Sequence, residues 1–110
     1  MIVPLKITFR DIDPSSAIDA YVRTKAEKLE TLFDRITNCR VAIEAPHRHK
    51  THGRPYRVRV DIHVPGAELV VDRAPDADPD HKDVYAAIDA AFDDAKRQLH
   101  DYVARRRARA

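Results

Sequence analysis

The first half of the chain switches between two periodic patterns of apolar residues. Residues 3–10 alternate apolar and polar positions, which is typical of a strand with one buried face. Asp13 is a candidate helix cap, with Pro14 at the first helical position, where its missing N–H is tolerated. From Pro14 to about Asp34, apolar residues recur every third or fourth position and predict an amphipathic helix. Its stripe consists of Ile18, Val22, Ala26, Leu29 and Phe33.

The second half predicts three strands and a longer helix. Alternation at residues 39–43 and 56–64 indicates two strands, and Pro65-Gly66 predicts a tight turn into a fourth, antiparallel strand. A second helix is predicted from about Lys82 to Arg105, and the basic residues after it are expected to fray. The stripe of this helix consists of Val84, Ile88, Ala91, Ala95, Leu99 and Tyr102.

The element order β-α-β-β-β-α predicts an α+β fold with a four-stranded mixed sheet and both helices packed on one face. A right-handed crossover makes the first two strands parallel. We expect one domain over residues 1–104 and a basic C-terminal tail over residues 105–110. The opposite face of the sheet is expected to be solvated and to carry Lys6, Thr8, Arg40, Arg57, Arg59 and His63.

Composition narrows the class of protein. The 110 residues fit one domain, and no apolar run approaches the roughly 20 residues that span a bilayer, so we expect no membrane partner. The alternating N-terminus does not resemble a secretory signal. The single cysteine, Cys39, cannot form an internal disulfide, which favours a reducing, cytoplasmic location.

The net charge is only +2, but basic and acidic residues are concentrated in separate segments of the chain. Residues 40–59 hold six Arg or Lys against one Glu, and residues 96–110 hold six against one Asp. Residues 72–94 hold eight Asp against two basic residues. Local fields of this kind favour binding to a polyanion, although dense surface charge also keeps small proteins soluble. Composition alone leaves these two interpretations equally open.

Three stretches carry a resemblance to a known family. They are the first-helix run AIDAYVRTKAEKL at 17–29, the second-helix motif DVYAAID at 83–89 followed by RQL at 97–99, and the hairpin VPGAELVV at 64–71. On these residues the chain resembles the ribosome hibernation promoting factors, a family that includes ribosome-associated inhibitors and was formerly named sigma-54 modulation proteins. The second-helix motif is the most specific, because it combines residue identity with spacing.

The resemblance implies the same β-α-β-β-β-α fold and binding to the small ribosomal subunit and its ribosomal RNA near the decoding region. There the protein would overlap messenger and transfer RNA and hold ribosomes inactive, without a cofactor and with other hibernation factors as further partners. Because the chain ends after the second helix, it resembles the short form of the family. Whether it promotes ribosome pairing or keeps ribosomes single stays open.

Most of the expected RNA contacts are cations on the two helices, since Lys and Arg side chains supply affinity for RNA by releasing the counterions of its phosphates. Lys25 and Lys28 stand three residues apart, and both match basic positions of the family motif, as does Arg97. Asp94 and Asp101 depart from the pattern and weaken the field near Arg97. The alternative is that these cations are only the solvent-exposed faces of amphipathic helices and bind no RNA. The candidate RNA-binding residues are Arg10, Arg23, Lys25, Lys28, Tyr85, Lys96 and Arg97.

The residues allow two other functions. A generic RNA-binding module would use the same basic faces. A metal-binding or interaction domain would use the loop His47-x-His49-x-x-His52, with Cys39 nearby, but this spacing matches no known zinc finger and a solvated loop is favoured. The Asp76/Asp78/Asp80 loop lacks the features of a calcium loop. No nucleophile–base set or Gly-rich phosphate loop is apparent, so we do not expect an enzyme.

Overall fold

A computed structural model describes residues 3–45, 56–73 and 84–109, which form four strands and two helices. The order along the chain is β-α-β-β-β-α, as predicted. The elements are β1 (Leu5–Arg10), α1 (Ser16–Leu32), β2 (Asn38–Glu44), β3 (Arg57–Val64), β4 (Ala67–Arg73) and α2 (Val84–Arg109).

The strands form one mixed sheet in the order β1-β2-β3-β4. β1 is parallel to β2, and the other two pairs are antiparallel, which confirms the predicted topology. The β3–β4 hairpin turns at Gly66, whose φ of +78° is a left-handed conformation that glycine adopts without strain. The register aligns apolar positions across the sheet, for example in the row Ile7, Val41, Val60 and Val71.

Both helices cover the same face of the sheet and bury their apolar stripes against it. Val22, Ile43, Val60 and Ile88 are all inaccessible to solvent. Burying a side chain of this size contributes about 1.5–3 kcal/mol, so this layer holds the helices in place. The opposite face carries the polar row predicted from the sequence, including exposed Lys6, Arg40, Arg57 and Arg59 and partly buried Thr8 and His63.

Two details of the helices differ from the sequence prediction. The cap of α1 is Ser15, whose Oγ accepts a hydrogen bond from the Ile18 N–H at 3.2 Å, so the assignment of Asp13 was wrong. Ser and Asp cap about equally well, and only the path of the chain decides between them. α2 continues to Arg109, so residues 105–109 are helical and not frayed. The predicted start near Lys82 lies outside the described residues.

Candidate nucleic-acid interface

α1 and α2 lie side by side and run in the same direction. Near their N-termini the rings of Tyr21 and Tyr85 meet edge-on at 4.9 Å, and further along Phe33 meets His100 at 5.0 Å. Between these contacts Lys25 of α1 pairs with α2. We call the solvent-facing side of this contact the interhelical groove. Its flanks are formed by Tyr21, Lys25, Lys28 and Leu32 on α1 and Tyr85, Asp89, Asp93, Lys96 and His100 on α2.

Lys25 is part of a polar network that joins the two helices. Its Nζ lies 2.8 Å from Asp89 Oδ1 and 5.5 Å from the centre of the Tyr21 ring. The Tyr21 hydroxyl donates a hydrogen bond of 2.6 Å to the same carboxylate. The hydrogen bond to Asp89 raises the pKa of Lys25. The charge of Lys25 is therefore already partnered within the protein.

The same network also lowers the pKa of Asp89. Burial pushes its pKa upward, but hydrogen bonds from Lys25 and Tyr21, together with the positive charges of Lys25 and Lys28, outweigh burial and hold the pKa below its ordinary value. The sequence pointed to no role for Asp89. The signal that could have found it is its place in the second-helix motif, four residues after Tyr85.

Lys28 and Lys96 are exposed cations along the same groove. Lys28 is three residues beyond Lys25 and contributes to the field at Asp89. Lys96 falls two helical turns after Asp89 and one turn before His100, so it shares their α1-facing flank. In the ranges 3–45, 56–73 and 84–109, no acidic side chain forms an ion pair with either lysine. These two charges are available to a ligand.

Arg23 and Arg97 do not share the groove. Arg23 bonds to Asp19 of its own helix at 2.6 Å, and helical geometry places it on the flank of α1 away from Lys25. Arg97 is one residue beyond Lys96, hence about 100° around α2, and it forms an ion pair with Asp94. The expected weakening of the field at Arg97 thus has a direct structural cause in Asp94.

Arg10 lies on the open face of the sheet, on the side opposite the helices. It lines a shallow recess there with Arg57 and Arg59. Arg57 makes two hydrogen bonds to Asp72, of 2.9 and 2.8 Å, and the first cause of the lowered pKa of Asp72 is this contact. The predicted residues therefore fall on separate surfaces, and only Lys25, Lys28, Tyr85 and Lys96 meet at one groove.

Tyr85 and Tyr102 occupy different environments. Tyr85 is 37% exposed and packs edge-on against Tyr21 beside the groove. Tyr102 is 7% exposed and its hydroxyl donates to the Pro65 carbonyl at 2.7 Å, which confirms its predicted place in the core.

The arginines at the C-terminal end of α2 lie beside the end of α1, a grouping that the sequence did not predict. Arg35, Arg106 and Arg107 border a common cleft with Tyr102. Arg106 stacks over the Tyr102 ring at 5.5 Å. The signal was present as spacing, since Arg106 stands one helical turn after Tyr102.

The described residues do not support the metal-site hypothesis. In the described part of the chain, no three His, Cys, Asp or Glu side chains converge as metal ligands. Cys39 is buried, and burial raises the pKa of its thiol to about 12. A metal would need the thiolate, so Cys39 is a poor ligand. The His47–His52 loop and the Asp76–Asp80 loop lie outside the described residues. No helix within those residues is long and apolar enough to cross a membrane.

Comparison with known proteins matches both the sequence and the fold. The family model described as "Sigma 54 modulation protein / S30EA ribosomal protein" matches residues 5–107. A ribosome hibernation promoting factor of Azotobacter vinelandii is 34% identical over 95 residues, covering 86% of this chain and 78% of that protein. The protein of the same name from Pseudomonas putida is 32% identical, covering 86% and 81%.

A solved structure gives the same fold. The N-terminal domain of Thermus thermophilus Protein Y superposes with a TM-score of 0.71 at 24% identity, covering 92% of this chain and 99% of that one. At this identity the likeness supports the arrangement of sheet and helices and carries nothing about the ligand.

Proposed function

Because the chain belongs to the sigma 54 modulation protein / S30EA ribosomal protein family, we propose that it is a ribosome hibernation factor. It binds the small ribosomal subunit through ribosomal RNA and holds the ribosome inactive in the cytoplasm. The observation that carries this proposal is the interhelical groove, where Lys28 and Lys96 face solvent from two adjacent helices without an acidic partner among the described residues.

The groove suits a phosphate backbone. Packed helices lie about 8–10 Å apart, so cations on their facing flanks reach neighbouring phosphates of one strand. Each Lys–phosphate contact releases counterions, and this supplies affinity without reading the base sequence. The exposed Tyr85 ring at the N-terminal end of the groove offers a surface on which a base can stack. No step of this activity requires catalysis.

The finer part of the proposal is the place of binding. We assign the site to the decoding region, where the bound protein excludes messenger and transfer RNA. The binding unit is residues 1–104, and the helical arginines beyond it extend the basic surface. Ribosomal RNA dominates that region, which is consistent with a groove that presents Lys28 and Lys96, unpaired within the described residues, to solvent.

Competition on purified small subunits tests this assignment. The protein is sedimented with small subunits in the presence and absence of initiator transfer RNA and a short messenger RNA. We expect the bound fraction to fall as initiator transfer RNA is added. Unchanged binding under saturating transfer RNA would remove the decoding region from the proposal.

A duplex RNA of unrelated sequence serves as the control ligand. Equal affinity for this duplex and for the small subunit would favour a generic RNA-binding module over a hibernation factor. A sucrose-gradient profile of ribosomes with and without the protein then shows whether it pairs ribosomes or keeps them single.

A further inference from the structure

Two adjoining recesses open where the end of α1 meets the C-terminal half of α2. We call them together the end cleft. The first has a volume of about 310 Å³, near the lower end of the roughly 300–1,000 Å³ range of ligand pockets. The second, of about 390 Å³, shares part of its wall with the first. The shared wall consists of Asp34, Arg35, Tyr102, Val103 and Arg107.

The first recess is floored by apolar side chains that the core holds in place. Phe33 is 8% exposed, and the His100 ring stands edge-on against it. Tyr102 is fixed by its hydrogen bond to the Pro65 carbonyl. Leu32 borders this floor and is 56% exposed. The recess therefore presents a preformed apolar surface to solvent.

The second recess is lined by guanidinium groups. Arg106 donates to the Pro65 carbonyl at 3.3 Å, which fixes it against Tyr102. Arg35 and Arg107 are exposed and form no ion pair within the described residues. Asp34 is the one acidic side chain among the lining residues. An anion is thus favoured directly beside the apolar floor.

We propose that the end cleft binds one nucleotide of single-stranded RNA, with its base in the first recess and its phosphate in the second. This inference rests on the proposed function and specifies the RNA element that it recognises. Bases splayed out of single strands stack on aromatic rings and guanidinium planes, and His100, Arg35 and Arg107 offer such surfaces. The Asp34 carboxylate accepts a hydrogen bond from an exocyclic amino group, so cytosine is preferred to uracil.

Continuity with the interhelical groove favours RNA over an acidic peptide. Leu32 lies one turn beyond Lys28 on α1, and His100 lies one turn beyond Lys96 on α2. The end cleft is therefore the continuation of the same groove. A backbone that follows the two lysines arrives at the arginines, where its next base meets the apolar floor.

The test uses the full chain and RNA hexamers that differ in one base. One hexamer carries stable abasic sugars at every position, and the second carries a single cytosine at a central position. Base stacking is typically worth a factor of about five or more, so we expect the single cytosine to raise affinity at least fivefold. In a nuclear magnetic resonance titration, the added shifts should fall on the backbone amides of residues 32–35 and 99–107. A hexamer with a single uracil should bind several-fold more weakly, and Asp34→Asn should remove this difference.

Matched arginine variants separate the cleft from diffuse charge. Arg107 lines the cleft, whereas Arg105 is an exposed arginine of the same helix that does not. We expect Arg107→Ala to weaken hexamer binding several-fold more than Arg105→Ala does. Leu32→Ser, at an exposed position that folding tolerates, should abolish the advantage of the cytosine hexamer while leaving binding of the abasic hexamer unchanged.

Three results would overturn the assignment. They are equal affinity for the cytosine and abasic hexamers, equal effects of the two arginine variants, and shifts at these amides caused by an acidic aromatic peptide but not by RNA. If any of them occurs while small-subunit binding remains sensitive to transfer RNA, only the end cleft is reassigned. Loss of that sensitivity, with the cytosine preference intact, would instead remove the decoding-region proposal.

Discussion

At the N-terminal end of the interhelical groove, Lys25 is held by Asp89 and Tyr21, and its side chain is 27% exposed. One to two turns further along, Lys28 and Lys96 face solvent with no ion-pair partner in the described part of the chain. The same residue type therefore serves two purposes on adjacent turns. One lysine joins two helices, and the other two are free to bind a ligand.

This difference shows that a cation in a sequence becomes a binding charge only where the fold leaves it unpaired. Partly exposed ion pairs are worth little to stability, but pairing lowers the net field that a polyanion meets. Substitutions at the N-terminal end of the groove should therefore change mainly stability, and substitutions further along should change mainly affinity.

The largest expected effect comes from reversing the free charges. Lys28→Glu combined with Lys96→Glu should weaken small-subunit binding by about 100-fold, because two phosphate contacts become repulsive. The slope of log affinity against log salt concentration should fall by roughly 2. Binding isotherms at several salt concentrations measure both quantities, and thermal unfolding should change little, since both side chains are exposed.

A matched pair on the other side of the molecule controls for net charge. Lys6 and Arg40 are exposed register neighbours on the open face of the sheet. Lys6→Glu with Arg40→Glu changes the net charge by the same amount and should weaken binding far less. An equal loss from this pair would contradict the assignment of the RNA contact to the helices.

Removing the charge of Lys25, which is paired with Asp89, should affect stability more than binding. Lys25→Met should lower the free energy of unfolding by about 0.2–1 kcal/mol, the usual range for ion pairs near the surface, because Asp89 keeps only its Tyr21 hydrogen bond. Small-subunit affinity should change by less than about threefold, a modest electrostatic effect. Urea unfolding and binding assays give the two values.

Lys28→Met is the matched control for this prediction, since it removes the same charge one turn away. It should change the free energy of unfolding less than Lys25→Met does and weaken binding more. If Lys25→Met proved the more damaging to binding, the division of the groove would be wrong and Lys25 would contact the RNA in spite of Asp89.

The fold was largely predictable because its signals are local and periodic. Alternation in the strands, the two helical stripes and the Pro65-Gly66 turn each constrain nearby residues, and the sheet register then aligns the apolar rows. Errors arose where two local choices were nearly equal in energy. Ser15 and Asp13 are both good caps, so their order could not be read from residue type.

The candidate site was less predictable because it depends on pairs that are distant in the sequence. Nothing local indicates that Asp89 meets Lys25, or that Arg10 lies across the sheet from the helices. Periodicity places a side chain on a face, but only packing of α1 against α2 decides which charges meet. The His47–His52 loop stays a prediction, since it lies outside the described residues.

A smaller effect should come from releasing Arg97. Asp94→Asn removes its ion-pair partner and should raise small-subunit affinity about threefold, since one more exposed guanidinium becomes available to phosphate. Arg97→Ala should have little effect in the unmodified protein and a larger one in the Asp94→Asn background. Asp101→Asn removes the same charge one turn beyond Arg97 and should give a smaller gain. Equal gains from the two substitutions would point to a diffuse field and not to the specific pair.

The smallest expected effect is on the pH dependence of stability, through Asp89. Its pKa is held below the ordinary value in the folded state, against the opposing effect of burial, by hydrogen bonds from Lys25 and Tyr21. A carboxyl group of this kind adds stability above its unfolded pKa of about 3.9, and that stability is lost as pH falls through the lower folded pKa. Between about pH 5 and pH 3 the unmodified protein should therefore lose more stability than Asp89→Asn does. Because the Asp89 side chain is 43% exposed, solvent screening should keep the difference below about 1 kcal/mol.

Urea unfolding across this pH range measures the difference between the two proteins, and the Asp72–Arg57 contact, which both proteins retain, cancels in the comparison. In the Lys25→Met background the difference should shrink, because the carboxylate has lost its cation. Parallel stability curves for the unmodified protein and Asp89→Asn would show that ionisation of Asp89 adds nothing to stability.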